Sequence, residues 1–153
     1  MQKSTGWYPS LRVDSSAERV LSVAGSVLLV KTAVAMGLDR QLATALAPWR
    51  KPRAVHDPGK ILLDLALAVA IGGDCLADIG QLRSVPAVFG HVASDPTVSR
   101  LIDALAADPD AALAVDRARA AARHQAWHLA GKDAPDHTPP KPILWRWTWT
   151  HRW

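Results

Sequence analysis

Two hydroxyls and an arginine at the predicted start of a helix are the residues of this 153-residue chain best suited to contact a phosphate. The stretch is Asp95-Pro96-Thr97-Val98-Ser99-Arg100. An Asp at the N-cap can accept the orphan N–H groups of a first helical turn, and Pro loses nothing by lacking its own. The pattern predicts a helix over 96–106 with Val98, Leu101, Ile102 and Leu105 inward and Thr97, Ser99 and Arg100 outward. Short hydroxyls beside an Arg at a helix N-terminus suit phosphate and base edges. These three are therefore candidate nucleic-acid contacts, set against the plainer reading of an ordinary capped core helix. A second candidate is the loop Trp49-Arg50-Lys51-Pro52-Arg53, where Arg50, Lys51 and Arg53 could meet phosphates with Trp49 as anchor. The alternative there is a solvated linker whose Trp covers the core.

Two other constellations invite a metal reading. Asp74 and Asp78 stand i, i+4, but an N-cap beside a solvated carboxylate explains them better. His124 and His128 share the same spacing, as zinc ligands on a helix can. Gln125 replaces the Glu of the hydrolytic motif and no third ligand is evident, so no metal ligand is assigned.

The elements that must position these groups are mainly helical, with few aromatics before residue 140. Residues 1–24 form a lead-in, with short extended segments expected at 7–13 and 20–23. A helical domain spans 25–131. Within it Gly37 should end a helix over 26–36. Leu38, Leu42, Ala45 and Leu46 share one face of a second helix over 38–47, stopped by Pro48.

Asp57-Pro58 opens a helix to about Ile71 that is apolar nearly all round, and so should be central and buried. Gly72-Gly73 breaks it. Asp74 is expected to cap a helix over 75–83 with Leu76, Ile79 and Leu82 inward. A helix–turn–helix is conceivable, with 75–83 followed by a recognition helix over 96–106. The intervening loop of about twelve residues exceeds the three or four of the standard motif. Asp108-Pro109 opens a long Ala-rich helix to 130, with Leu113, Ala120 and Trp127 inward and Arg117, Arg119 and Arg123 outward. Residues 132–142 carry four prolines and read as a linker.

Composition limits the partners. The net charge is +4, yet Lys141, Arg146 and Arg152 supply three of those charges, leaving 15 basic against 14 acidic side chains in the first 140 residues. Net charge alone therefore gives no argument for nucleic-acid binding. The longest apolar run, 61–71, is too short to span a bilayer and contains Asp64, so no membrane partner is expected. No secretory signal is visible, and the single Cys75 suits a reducing cytoplasm.

Several strings together resemble the N-terminal region of insertion-sequence transposases of the DDE type. They are Gly6-Trp7-Tyr8-Pro9, Gly37-Leu38-Asp39, Leu46-Ala47-Pro48-Trp49-Arg50-Lys51-Pro52 and His56-Asp57-Pro58. More specific still are Gly72-Gly73-Asp74-Cys75-Leu76-Ala77-Asp78 and Ser94-Asp95-Pro96-Thr97-Val98-Ser99-Arg100. The resemblance covers residues 1–142. It implies a helical leader that helps hold transposon-end DNA, ahead of an RNase H-like α/β core whose three carboxylates bind two divalent metals, Mg in the full-length family. It implies further partners in the full-length transposase or a second copy of this chain. No cofactor is expected in the leader itself.

After its linker the family pattern continues with a strand of type apolar-Asp-apolar-Asp, carrying the first catalytic carboxylate. Here the chain reads Ile143-Leu144-Trp145-Arg146-Trp147-Thr148-Trp149-Thr150-His151-Arg152-Trp153, with four of its seven tryptophans in the last nine residues. Trp is always TGG and Thr is ACN, so 147–150 must be written TGG ACN TGG ACN. One nucleotide earlier this becomes NTG GAC NTG GAC, which encodes apolar-Asp-apolar-Asp whatever synonymous codons are used. A frame change near 142–145 is inferred, with 143–153 an out-of-frame tail. The expected product is a truncated, catalytically inactive fragment lacking the α/β core, or alternatively a stand-alone DNA-binding regulator of the full transposase.

Overall fold

Glycine and proline punctuation divides the chain where backbone hydrogen bonding has to stop. The computed structural model describes residues 6–9 and 24–134, which hold seven α-helices and no strand. The first two, α1 (Ala24–Ala35) and α2 (Leu38–Ala45), meet at Gly37. Its φ of 70° lies in the left-handed region that glycine enters without a Cβ penalty. Both helices fall where the sequence placed them. On α2 Leu42 and Leu46 are buried, with Leu38 and Ala45 half-buried, so the predicted stripe is the one that packs. Pro48 then forces a single 3₁₀ turn, Ala47–Trp49.

The central helix α3 (Pro58–Ala70) starts as its Asp-Pro signature demands: Asp57 Oδ1 accepts the Gly59 N–H at 2.8 Å. Ile61, Leu63, Leu67 and Ala68 enter the core, but Ala66, Val69 and Ala70 are exposed. The helix is buried at its start and on one face beyond it, not all round. At Gly59 a Cβ would stand 2.6 Å from Leu42 C and Ala43 N, so the missing side chain lets α3 lie against the α2 backbone.

The expected helix over 75–83 forms as a 3₁₀ turn (Leu76–Asp78) running into α4 (Ile79–Arg83). Asp74 is not its cap. Asp78 takes that role from inside the turn, accepting the N–H groups of Asp74 at 2.9 Å and Cys75 at 3.0 Å. Ile79 and Leu82 are fully buried, while Leu76 stays 38% exposed. A five-residue helix has no intrinsic stability, so burying these two side chains, about 1.5–3 kcal/mol each, holds it in place.

Residues 84–94 are not one loop. A four-residue helix, α5 (Pro86–Phe89), lies within them and sends Val88 and Phe89 into the core. Next, α6 (Asp95–Ala106) begins one residue earlier than expected, with Ser94 at the N-cap position. The long α7 (Pro109–Ala130) has the predicted extent, and Asp108 Oδ1 accepts the Asp110 N–H at 3.0 Å. Its inward face differs from expectation. Ala111, Ala118 and Ala122 are buried against the domain, Leu113 is 53% exposed, Ala120 is exposed and Trp127 half-buried. Residues 7–9 of the first expected extended segment form no strand; its remainder, the segment at 20–23, the linker beyond 134 and the Trp-rich tail lie outside the described residues.

The lead-in is anchored by a buried polar cluster. Tyr8 Oη donates to Asp64 Oδ1 at 2.9 Å, and Lys60 Nζ donates to Asp64 Oδ2 at 2.6 Å and to Phe89 O at 3.1 Å. The same ammonium stands 4.7 Å from the Tyr8 ring centroid. Burial pushes the Asp64 carboxyl up, opposed by Lys60 and the Tyr8 hydroxyl. Burial and then Asp64 push the Tyr8 phenol well above its ordinary range. Among the described residues no helix is long and apolar enough to cross a membrane.

Candidate nucleic-acid interface

The basic loop is held from both sides by capping aspartates. Trp49 Nε1 donates to Asp108 Oδ2 at 3.2 Å, and Arg50 Nη1 pairs with Asp57 Oδ2 at 3.3 Å. Each aspartate therefore uses one oxygen on its own helix start and the other on the loop. Trp49 thus ties the loop to the start of α7. Lys51 and Arg53 are exposed. Arg50 is about half exposed whereas Asp57 is 13% exposed, so the guanidinium keeps this pair while its other N–H groups face solvent.

The start of α6 is tied in a similar way. Arg83 at the end of α4 donates to Ala93 O at 2.8 Å and pairs with Asp95 Oδ1 at 2.7 Å. Asp95 thus serves the α4–α6 connection instead of capping. Thr97 Oγ1 lies 3.0 Å from Ser94 Oγ, and Arg100 Nη2 reaches Thr97 Oγ1 at 3.4 Å. Thr97 and Arg100 share a face. Ser99 is half-buried and, at roughly 100° per residue, sits about 160° round the helix from Thr97. The three candidates cannot all meet one surface, and α5 between α4 and α6 removes the helix–turn–helix geometry.

Neither metal reading gains a site. His124 and His128 are both exposed on α7. Among the described residues the one grouping of three possible ligands is Asp74, Cys75 and Asp78, all at the turn before α4. The Asp78 carboxylate there is already committed to two backbone N–H groups and to the Cys75 thiol at 3.2 Å. Those backbone N–H groups hold it down to about 2. That is a cap, not a cation cage.

Sequence reasoning missed a cleft of about 360 Å³ at the N-terminal end of α3, lined by Trp7, Arg50, Val55, His56, Asp57, Lys60 and His91. The His56 and His91 rings stack across it with centroids 5.0 Å apart and planes inclined by 28°. Burial, then His91 and Lys60, push the His56 imidazole below its usual value and favour its neutral form. Gly90 shapes the same place. Its φ is 67°, and a Cβ would lie 2.8 Å from Trp7 O, so glycine here lets the lead-in close one wall. Four separate stretches of chain converge on this cleft. The periodicity of any one of them carries no sign of it.

A family described as "Transposase DDE domain group 1" matches residues 3–144. No curated protein and no solved structure matches the chain.

Proposed function

The chain belongs to the DDE transposase family, and from that we propose that its helical body helps hold transposon-end DNA during transposition. The observation that carries this reading is the family match over nearly the whole chain. Exposed cations at the expected places support it. Lys51 and Arg53 project from the basic loop, and Arg100 from the first turns of α6 with Thr97 beside it. Arg50 adds a half-exposed guanidinium whose N–H groups not engaged by Asp57 can reach a phosphate. Ser99 joins the contact set only from the flank of α6.

The family's chemistry is Mg-dependent, and two-metal phosphoryl transfer needs carboxylates converging on ions roughly 3.5–4 Å apart. Six of the described aspartates are engaged in other ways. Asp57 and Asp108 cap helices, Asp95 pairs with Arg83, and Asp64 is buried with Lys60 and Tyr8. Asp74 and Asp78 share one turn, where Asp78 is the cap. We read 147–150 as the family's first catalytic strand seen through a shifted frame. The family match ends at residue 144, beside the frame change inferred near 142–145. In this reading the polypeptide binds DNA ends and does not cut them.

The test is a gel shift of the full 153-residue protein on the element's terminal sequence. Lys51→Ala with Arg100→Ala should weaken binding at least tenfold and flatten its salt dependence by about two phosphate contacts. Unchanged affinity in the double variant would sink the assignment. Tight, sequence-specific binding that also blocks the intact transposase would favour the rival reading, a regulator that occupies the ends.

A further inference from the structure

Apart from Arg50 at its rim, the cleft formed by Trp7, Arg50, His56 and His91 is unused by the contacts proposed above. Aromatic residues line it, with the half-buried Trp7 coming from one stretch of chain and the stacked His56–His91 imidazoles from two others. Its two cationic side chains are each paired, Arg50 with Asp57 and Lys60 with Asp64. A run of phosphates finds no net attraction in such a place, whereas an uncharged ring does. Aromatic faces take any base, since every base has a π-face. At about 360 Å³ the space lies near the lower end of small-ligand sites, the scale of one nucleotide and not of a stacked base pair. At the rim Arg50 is about half exposed and engages Asp57 through Nη1 at 3.3 Å, leaving guanidinium N–H groups for one phosphate oxygen.

We propose that this cleft receives a single unpaired nucleotide of a DNA strand, its base stacked between Trp7 and the His56–His91 pair and its phosphate on Arg50. The inference rests on the DNA-holding reading and deepens it, by adding a preference for a strand with an extruded base over a fully paired duplex.

The experiment compares two otherwise identical short duplexes, one fully paired and one with a single extrahelical 2-aminopurine, with the 153-residue protein. The bulged duplex should bind about tenfold more tightly, within the range of one base–aromatic stack, and its 2-aminopurine emission should be quenched. Trp7→Ala and His91→Ala should each abolish the preference and the quenching while leaving affinity for the paired duplex unchanged. His91 is exposed, so its variant keeps the test decisive should Trp7→Ala lose helix content by circular dichroism. Equal binding of the two duplexes, or a preference that survives both variants, overturns the cleft assignment and leaves the DNA-holding reading standing. Binding to neither duplex overturns both. Saturable quenching of free 2-aminopurine deoxynucleotide at the same concentrations overturns the assignment to a DNA strand and makes the cleft a site for small nucleotides.

Discussion

At the scale of single residues, the three Asp-Pro pairs show how much of a local signature can be read in advance. Asp57 and Asp108 cap their helices as expected, because an Asx oxygen two residues ahead of a free N–H needs no tertiary help. What those two do with their second oxygen was not legible, since Arg50 and Trp49 come from the basic loop, and nor was the failure of Asp95 to cap, because Arg83 takes its Oδ1. The buried cluster of Tyr8, Lys60 and Asp64 was equally hidden. Lys60 and Asp64 stand i, i+4 on a helix expected to be buried, and they are 5% and 1% exposed. A buried ion pair that loses one partner strands the other charge, which costs about 3–5 kcal/mol, whereas replacing both by apolar groups is often neutral. Asp64→Ala should therefore lower the urea midpoint far more than the double change Lys60→Met with Asp64→Leu. A double variant as unstable as the single one would show that the pair contributes net stability.

At the scale of elements, helix existence was readable and helix facing only in part. Gly37, Pro48 and Gly72-Gly73 bracket α1 to α3 with residues that cannot continue a helix, so those elements stood out. On α7 the large side chains misled. In an Ala-rich helix Leu113 and Trp127 seem to mark the inward face, yet Ala111, Ala118 and Ala122 face inward because small residues let α7 lie close to its neighbours. The short α5 escaped because four residues carry no period. The same closeness governs α2 and α3 at Gly59. Gly59→Ala drives a Cβ into the Leu42–Ala43 backbone and should cost at least about 1–3 kcal/mol of thermal stability. Gly25→Ala, on α1 with nothing within 4 Å, should be neutral or gain up to about 1 kcal/mol. Melting curves that shift equally for the two would mean the α2–α3 approach is not tight.

At the scale of the whole molecule, the family was legible from strings of residues, and the family match over 3–144 bears it out. The place where those strings converge was not, because His56 and His91 are 35 positions apart and meet only through α3, α5 and the lead-in. The tail belongs to a different kind of inference, since its message lies in codons and not in side-chain chemistry. Sequencing the gene across codons 140–153 should reveal, in the frame one nucleotide earlier, apolar-Asp-apolar-Asp continuing into a long open frame with further Asp and Glu motifs. A shifted frame that closes at once would leave the Trp-rich tail without this explanation and move the weight to a stand-alone DNA-binding protein.

Tyr8 and Trp7 also set an order of events during synthesis. Their docking sites are Asp64, Lys60 and the backbone around Phe89 and Gly90, all made long after the lead-in itself. At about 5–20 residues per second the ribosome needs roughly four to sixteen seconds to pass from Tyr8 to Gly90. The contacts of Tyr8 with Asp64 and of Trp7 with the Gly90 backbone cannot form before those residues emerge. Trp7 and Tyr8, among the first residues made, thus complete these contacts late, and the Trp7 wall of the cleft exists only once they have.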